Sequence, residues 1–152
     1  MAVITDCGMR YDIHPKNKKL VGERLALQAE KRVYNIPVVC EGPRLLKGEW
    51  EKGSLVLTFS DSGARLILRG QEIHGLEIFQ EQQSILPEIT RVQGNQVILS
   101  GDRLDSRKQA EIRLACSAYY QINLYSDVGL PARPGHLMIE AEKSKIPQQP
   151  IV

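Results

Sequence analysis

The sequence predicts a mainly β protein: an antiparallel β-sandwich-like domain preceded by a short strand, a loop and one amphipathic helix. Three observations carry this. Apolar residues recur at helical spacing only between Asn17 and Tyr34, short alternating segments follow one another beyond Pro37, and turn chemistry such as Asp61-Ser62-Gly63 and Gly94-Asn95 separates them. A chain of 152 residues, 42% hydrophobic and 25% charged, has an ordinary globular composition and can bury a core without a metal or disulfide staple.

Residues 2–6, Ala-Val-Ile-Thr-Asp, are an apolar run of buried-strand type, and Cys7 to Asp12 read as a loop leaving its end. In the next segment Val21, Leu25, Ala29 and Val33 recur every four residues, with Lys18, Glu23, Arg24, Glu30, Lys31 and Arg32 on other faces. Asn17 is placed to cap the helix, while Asn35 and Pro37 supply stop chemistry. Ser54 to Ser60 and Ala64 to Arg69 alternate apolar with polar and are expected to form a hairpin across Asp61-Ser62-Gly63. Further strands are expected at Leu76 to Phe79, Ile85 to Val92, Gln96 to Ser100 and Glu111 to Tyr120, with Gly94-Asn95 as a second tight turn. The division that follows is 1–37 for strand, loop and helix, 38–140 for the sandwich-like domain and 141–152 for a disordered tail carrying Pro147 and Pro150.

Twenty basic against eighteen acidic residues leave a net charge of +2 with the signs interspersed, which argues against a nucleic-acid or membrane partner. No apolar run approaches the ~18 residues of a membrane span, and the first residues lack the pattern of a signal peptide. Cys7, Cys40 and Cys116 lie far apart, so the paired spacing of a zinc or thioredoxin-type site is absent. His74 and His136 have no second histidine or cysteine at ligand spacing and read as turn or surface residues. No metal or cofactor is implied.

Chemically useful groups concentrate in Asp6, Asp12 and His14, followed by Pro15 and the basic run Lys16-Asn17-Lys18-Lys19. A carboxylate that accepts from one imidazole nitrogen fixes the tautomer and leaves the other nitrogen free to take a proton from a hydroxyl. Pro15 restricts His14 to extended backbone, a fixed presentation. Composition alone favours the other reading, an exposed loop histidine beside a turn-forming aspartate.

The segments Asp12-Ile-His-Pro-Lys-Asn-Lys-Lys19 and Val21-Gly-Glu-Arg-Leu-Ala-Leu27 resemble the last catalytic block of the sialate O-acetylesterase family, carbohydrate esterases of the SGNH hydrolase superfamily. Cys40-Glu-Gly-Pro43, Leu68 to Ile78 and Asn123-Leu-Tyr-Ser-Asp-Val-Gly-Leu-Pro-Ala132 are similar to later segments of those enzymes, in the same order. The resemblance implies removal of O-acetyl groups from sialic acid or another acetylated sugar through a serine acyl-enzyme, without a cofactor. His14 would be the general base. Asp12 matches the acidic position just ahead of it, yet many SGNH enzymes place the acid three residues before the histidine, where this chain has Tyr11. Asp6 is the competing candidate. Strand, loop and helix would then derive from an α/β esterase domain.

The family's Gly-Gln-Ser nucleophile segment and its Gly and Asn oxyanion donors have no counterpart here, and a base without a nucleophile has little to activate. Ser62, in Asp61-Ser62-Gly63, is similar to a Gly-Asp-Ser-Leu block but falls in the expected hairpin. The expectation is a C-terminal part of a larger esterase, inactive alone and completed by an N-terminal part. Enzymes of this family are often exported. The alternative is a non-catalytic carbohydrate-binding or structural β-sandwich module, with Trp50, Tyr119, Tyr120 and Tyr125 as the aromatics available to stack on sugar.

Overall fold

Asn17 caps helix α1 (Lys18–Arg32) as its position predicts, its Oδ1 accepting from the Leu20 N–H at 3.1 Å. The far end also follows the sequence: Asn35 takes a left-handed φ of 54°, and the Ile36 N–H turns back to the Glu30 carbonyl at 2.9 Å. The computed structural model describes residues 1–60, 65–117, 119 and 121–142. Asp61, Ser62, Gly63, Tyr120 and the tail from Lys143, which carry expectations stated above, lie outside the described residues.

Among the described residues, ten strands follow the helix: β1 (Leu45–Glu51), β2 (Ser54–Phe59), β3 (Leu66–Leu68), β4 (Leu76–Gln80), β5 (Gln83–Ile85), β6 (Ile89–Gln93), β7 (Gln96–Ser100), β8 (Ala110–Leu114), β9 (Leu124–Ser126) and β10 (Gly135–Ile139). They form two four-stranded antiparallel sheets, ordered β1-β2-β7-β6 and β10-β8-β4-β5, and a two-stranded ribbon of β3 with β9. The protein is therefore mainly β with a single helix among the described residues. One apolar core joins the sheets, with Leu55, Leu57, Phe59, Val97 and Leu99 from one, Ile78, Ala110, Ile112, Leu114 and Ile139 from the other, and Leu66 and Leu124 from the ribbon. Period-two burial is plain in β7 and β8, whose alternate side chains reach this core.

Four expectations need correction. Residues 2–6 form no strand. A strand requires a neighbour for its backbone groups, and here the Ile4 carbonyl accepts from Cys7 in a turn while the Thr5 carbonyl accepts from Ile122. Segments 54–60 and 64–69 do not form a hairpin with each other, since β2 pairs with β1 and β7 whereas β3 pairs with β9. Residues 85–92 are two strands in different sheets, split before Ile89 where Pro87 can donate no ladder bond. The strand expected to reach Tyr120 ends at Leu114, because Ala115 takes φ 51° and gives its N–H to the Gly75 carbonyl at 2.8 Å.

The helix is the largest departure in packing. Its repeating apolar residues do not face the β core: Leu25 is 55% exposed and Val33 68%. The buried positions of α1 are Arg24 and Gln28. Docking is polar, through Gln28 Nε2 to the Cys40 carbonyl at 2.6 Å and a Glu41 carboxylate shared by Arg32 and Arg133, while Arg32 Nε donates to Gln28 Oε1 within the helix at 2.7 Å.

Candidate functional site

The loop between the first residues and α1 brings Asp12 and His14 together. Asp12 Oδ1 accepts the backbone N–H of His14 at 2.8 Å and lies 3.2 Å from the ring Nδ1 of the same residue. A residue two positions on is within reach of a short aspartate side chain, so the turn itself sets this contact. Both groups are open to solvent, with the His14 side chain 74% and the Asp12 side chain 46% exposed. When the proton sits on Nδ1, it is donated to Asp12, and the Nε2 lone pair is available to accept a proton.

Asp6 goes elsewhere. Its two oxygens bind Arg24 Nη1 and Nη2 at 2.5 and 2.6 Å, and both side chains are 5% exposed. Arg24 Nη1 also donates to the Val3 carbonyl at 2.9 Å, which ties α1 to the first residues. Burial is the largest influence and works against the Arg24 charge, but the hydrogen bonds that Arg24 donates to Asp6, together with the charge of Asp6 and smaller contributions from Cys7 and Tyr125, outweigh it and hold the guanidinium above its ordinary pKa. Burial, then the Asp6 charge, pushes the neighbouring Tyr125 hydroxyl up, and Arg69 stacks 4.1 Å over the Tyr125 ring. Burial, then Asp6, likewise raises the Cys7 thiol. Asp6 is thus the centre of a buried polar knot, while Asp12 is the carboxylate at His14.

A cleft of about 390 Å³ adjoins Asp12. The loop lines one side with Thr5, Gly8, Met9 and Asp12, and the segment leaving β8 lines the other with Ala115, Ser117 and Tyr119. The sequence offered no signal for Thr5 or Ser117, since small hydroxyl residues carry no spacing rule. Of the aromatics singled out as possible sugar platforms, Tyr119 lines the cleft, whereas Trp50 and Tyr125 are buried. The basic residues Lys16, Lys18 and Lys19 are exposed and stand outside the lining, Lys19 making a 3.7 Å pair with Glu23.

The remaining candidates lie apart. His136 Nε2 sits 2.8 Å from Glu111 Oε1, which also accepts from Arg113 at 2.8 Å. Arg113, then His136, hold the Glu111 carboxyl below its usual range. His74 is exposed. Among the described residues no group of three or more His, Cys, Asp or Glu is arranged to hold a metal, and no helix is long and apolar enough to cross a membrane.

No family model and no curated protein matches the chain. Among solved structures it is similar to a carbohydrate acetylesterase from Xanthomonas citri, with a TM-score of 0.77 and 31% identity over 90% of this chain. The match takes in 32% of that protein, so the chain spans about a third of its length. A carbohydrate acetylesterase is therefore a structural neighbour of this chain.

Proposed function

We propose that this chain is the histidine-bearing C-terminal part of a serine carbohydrate O-acetylesterase resembling the sialate O-acetylesterases. The contact between Asp12 and His14, beside a cleft and within a fold similar to a carbohydrate acetylesterase, carries the reading. In the reaction His14 Nε2 takes the proton of a serine hydroxyl as its oxygen bonds to the acetyl carbonyl carbon. The imidazolium then returns a proton to the departing sugar oxygen, leaving an acetyl-serine that water hydrolyses with the same histidine as base. Asp12 holds the ring and stabilises its charged form; Asp6, with both oxygens engaged by Arg24, keeps the loop in place. The serine and the oxyanion donors come from polypeptide outside this chain.

The exposed apolar residues at α1 support the same reading, because a helix that presents Leu25, and Val33 at its C-cap, to water while burying Arg24 and Gln28 is built to pack on its other side. Covering the loop would also remove water from the Asp12–His14 pair and strengthen it. The purified chain is expected not to hydrolyse an aryl acetate. Adding the N-terminal portion of the acetylesterase, expressed as a separate polypeptide, should restore turnover, and His14→Ala should lower it by about 10²–10⁴-fold. Turnover by the chain alone would sink the proposal and direct attention to Ser117, the serine lining the cleft.

A further inference from the structure

We infer that the outer face of the β10-β8-β4-β5 sheet carries a glycan-binding groove, separate from the Asp12 cleft, that seats a neutral oligosaccharide chain without cleaving it. The choice of a glycan as occupant rests on the esterase reading; the groove itself does not. Alternation in β8 turns Ala110, Ile112 and Leu114 into the core and leaves Glu111 and Arg113 on the opposite face. Register then places Phe79 of β4 and Met138 of β10 directly beside Glu111, so an aromatic ring, a carboxylate and a thioether stand in one row across three strands. All three line a cleft of about 400 Å³, the size of small-molecule sites. Ala115, where the chain turns toward the Asp12 cleft, lies four residues beyond Glu111, about 13 Å at the rise of a strand.

The walls are held before any ligand arrives. The turn between β4 and β5 forms one with Glu81 and Gln82, and the segment from Arg107 to Gln109 forms the other. Gln80, 3% exposed, ties them together: its Oε1 accepts from the Asp105 N–H at 3.0 Å and its Nε2 donates to the Asp105 carbonyl at 2.8 Å, while Lys108 pairs with Glu81 at 2.6 Å. Glu81 and Gln82 take left-handed φ values of 49° and 65°, which glycine would adopt without strain, so the turn keeps two long polar side chains at the rim at a conformational cost. Arg113 and His136 both approach Oε1 of Glu111, at 2.8 Å each, and Oε2 has no partner among the described residues. That oxygen is placed to accept from a sugar hydroxyl, and the half-buried Phe79 ring, with the Arg113 guanidinium 4.9 Å from its centroid, offers apolar surface to the C–H side of a pyranose. The lining charges, Glu81 and Glu111 against Arg107 and Lys108, sum to zero, which suits hydroxyls that both donate and accept rather than an ionic ligand.

Chemical-shift mapping on the isotope-labelled full chain tests this with three neutral probes free of ester groups, cellohexaose, xylohexaose and mannohexaose, and with hexagalacturonate as the charged control. At least one neutral hexamer should move the amide signals of Phe79, Gln82, Gln109, Glu111 and Met138, and hexagalacturonate should bind at least about fivefold more weakly. Phe79→Ala should weaken the neutral hexamer at least about tenfold. Should that variant not fold, Gln82→Gly decides: releasing the strained turn should hold or raise the thermal midpoint, yet removing the rim side chain should weaken the glycan at least about threefold. No shifts at these amides with any neutral hexamer, equal or tighter binding of hexagalacturonate, or unchanged affinity in Gln82→Gly overturns the inference. So does loss of the shifts when the N-terminal polypeptide is bound, which would make this face an interface within the esterase. His14→Ala should leave glycan binding intact while abolishing the turnover restored by that polypeptide, so the groove and the esterase reading fail separately.

Discussion

Two aspartates of one loop, six positions apart, have opposite fates, and a residue far along the chain decides between them. Asp12 meets His14 through a local turn, whereas Asp6 is claimed by Arg24 from the second turn of α1. The resemblance places Asp12 ahead of Asp6, yet both carboxylates stand near His14 in the sequence and nothing in the loop announces that a helical arginine will be buried against one of them. Arg24 itself reads as a residue on the polar face of an amphipathic helix, and its position makes it the anchor instead. Arg24→Met should destabilise the chain by about 3–5 kcal/mol, since it leaves the Asp6 carboxylate enclosed without its counter-charge. Combining it with Asp6→Leu should recover most of that loss. Urea denaturation of the two variants checks the expectation, and equal losses in the single and the double variant would contradict it.

At the scale of elements, the structure explains why three separated segments share a resemblance to esterases: they converge. Asn123 Nδ2 donates to the Arg69 and Glu72 carbonyls, each at 2.9 Å, and its Oδ1 accepts from the His74 N–H at 2.8 Å, so this one amide closes the loop after β3. Gly42, in Cys40-Glu-Gly-Pro43, lies against the turn after β9, where an added Cβ would stand 1.8 Å from the Pro131 carbonyl oxygen. That oxygen belongs to backbone, and the adjoining Arg133 N–H is bonded to the Pro43 carbonyl at 2.9 Å, so the two segments cannot move apart freely. Gly42→Ala should therefore cost about 1–3 kcal/mol or more, read as a lowered thermal midpoint, while Gly8→Ala, with open space around it, should cost far less. Equal midpoints for the two variants would refute the packing argument. Local signals were legible wherever the determinant was local. The Gly94-Asn95 turn does join β6 to β7, with Gln93 opposite Gln96. The strand β1 was missed because Gly48 interrupts its alternation, and the cause is remote: Ile139 of β10 would be 2.1 Å from a Cβ there. The turn between β4 and β5 was equally silent, since Glu81 and Gln82 adopt left-handed φ values of 49° and 65° where glycine or asparagine is the usual signal.

For the molecule as a whole, the sequence conveyed the class of architecture but not the pairing, which depends on strands meeting across long separations. It also showed that α1 is amphipathic without showing what its apolar residues would face. Arg24 is received by Asp6 and Val3 of the N-terminal segment and Gln28 by the Cys40 carbonyl, and the exposed large apolar side chains of the described residues include Met1, Tyr11, Ile13, Leu25, Val33 and Tyr34 in the first 34 residues, beside others such as Leu46, Leu86, Val128 and Met138 in the β domain. The sandwich satisfies its own core without them, so this surface contributes little to the stability of the chain alone and should matter only when the rest of the proposed esterase covers it. A double substitution, Leu25→Lys with Val33→Lys, isolates that role. Both positions are exposed and lysine is a good helix former, so unfolding stability should change by no more than about 0.5 kcal/mol. Turnover restored by the N-terminal polypeptide should nevertheless fall at least about tenfold, and more of that polypeptide should be needed for half-maximal activity. Undiminished restoration in the double variant would show that the helix presents its apolar residues to water for some reason other than docking.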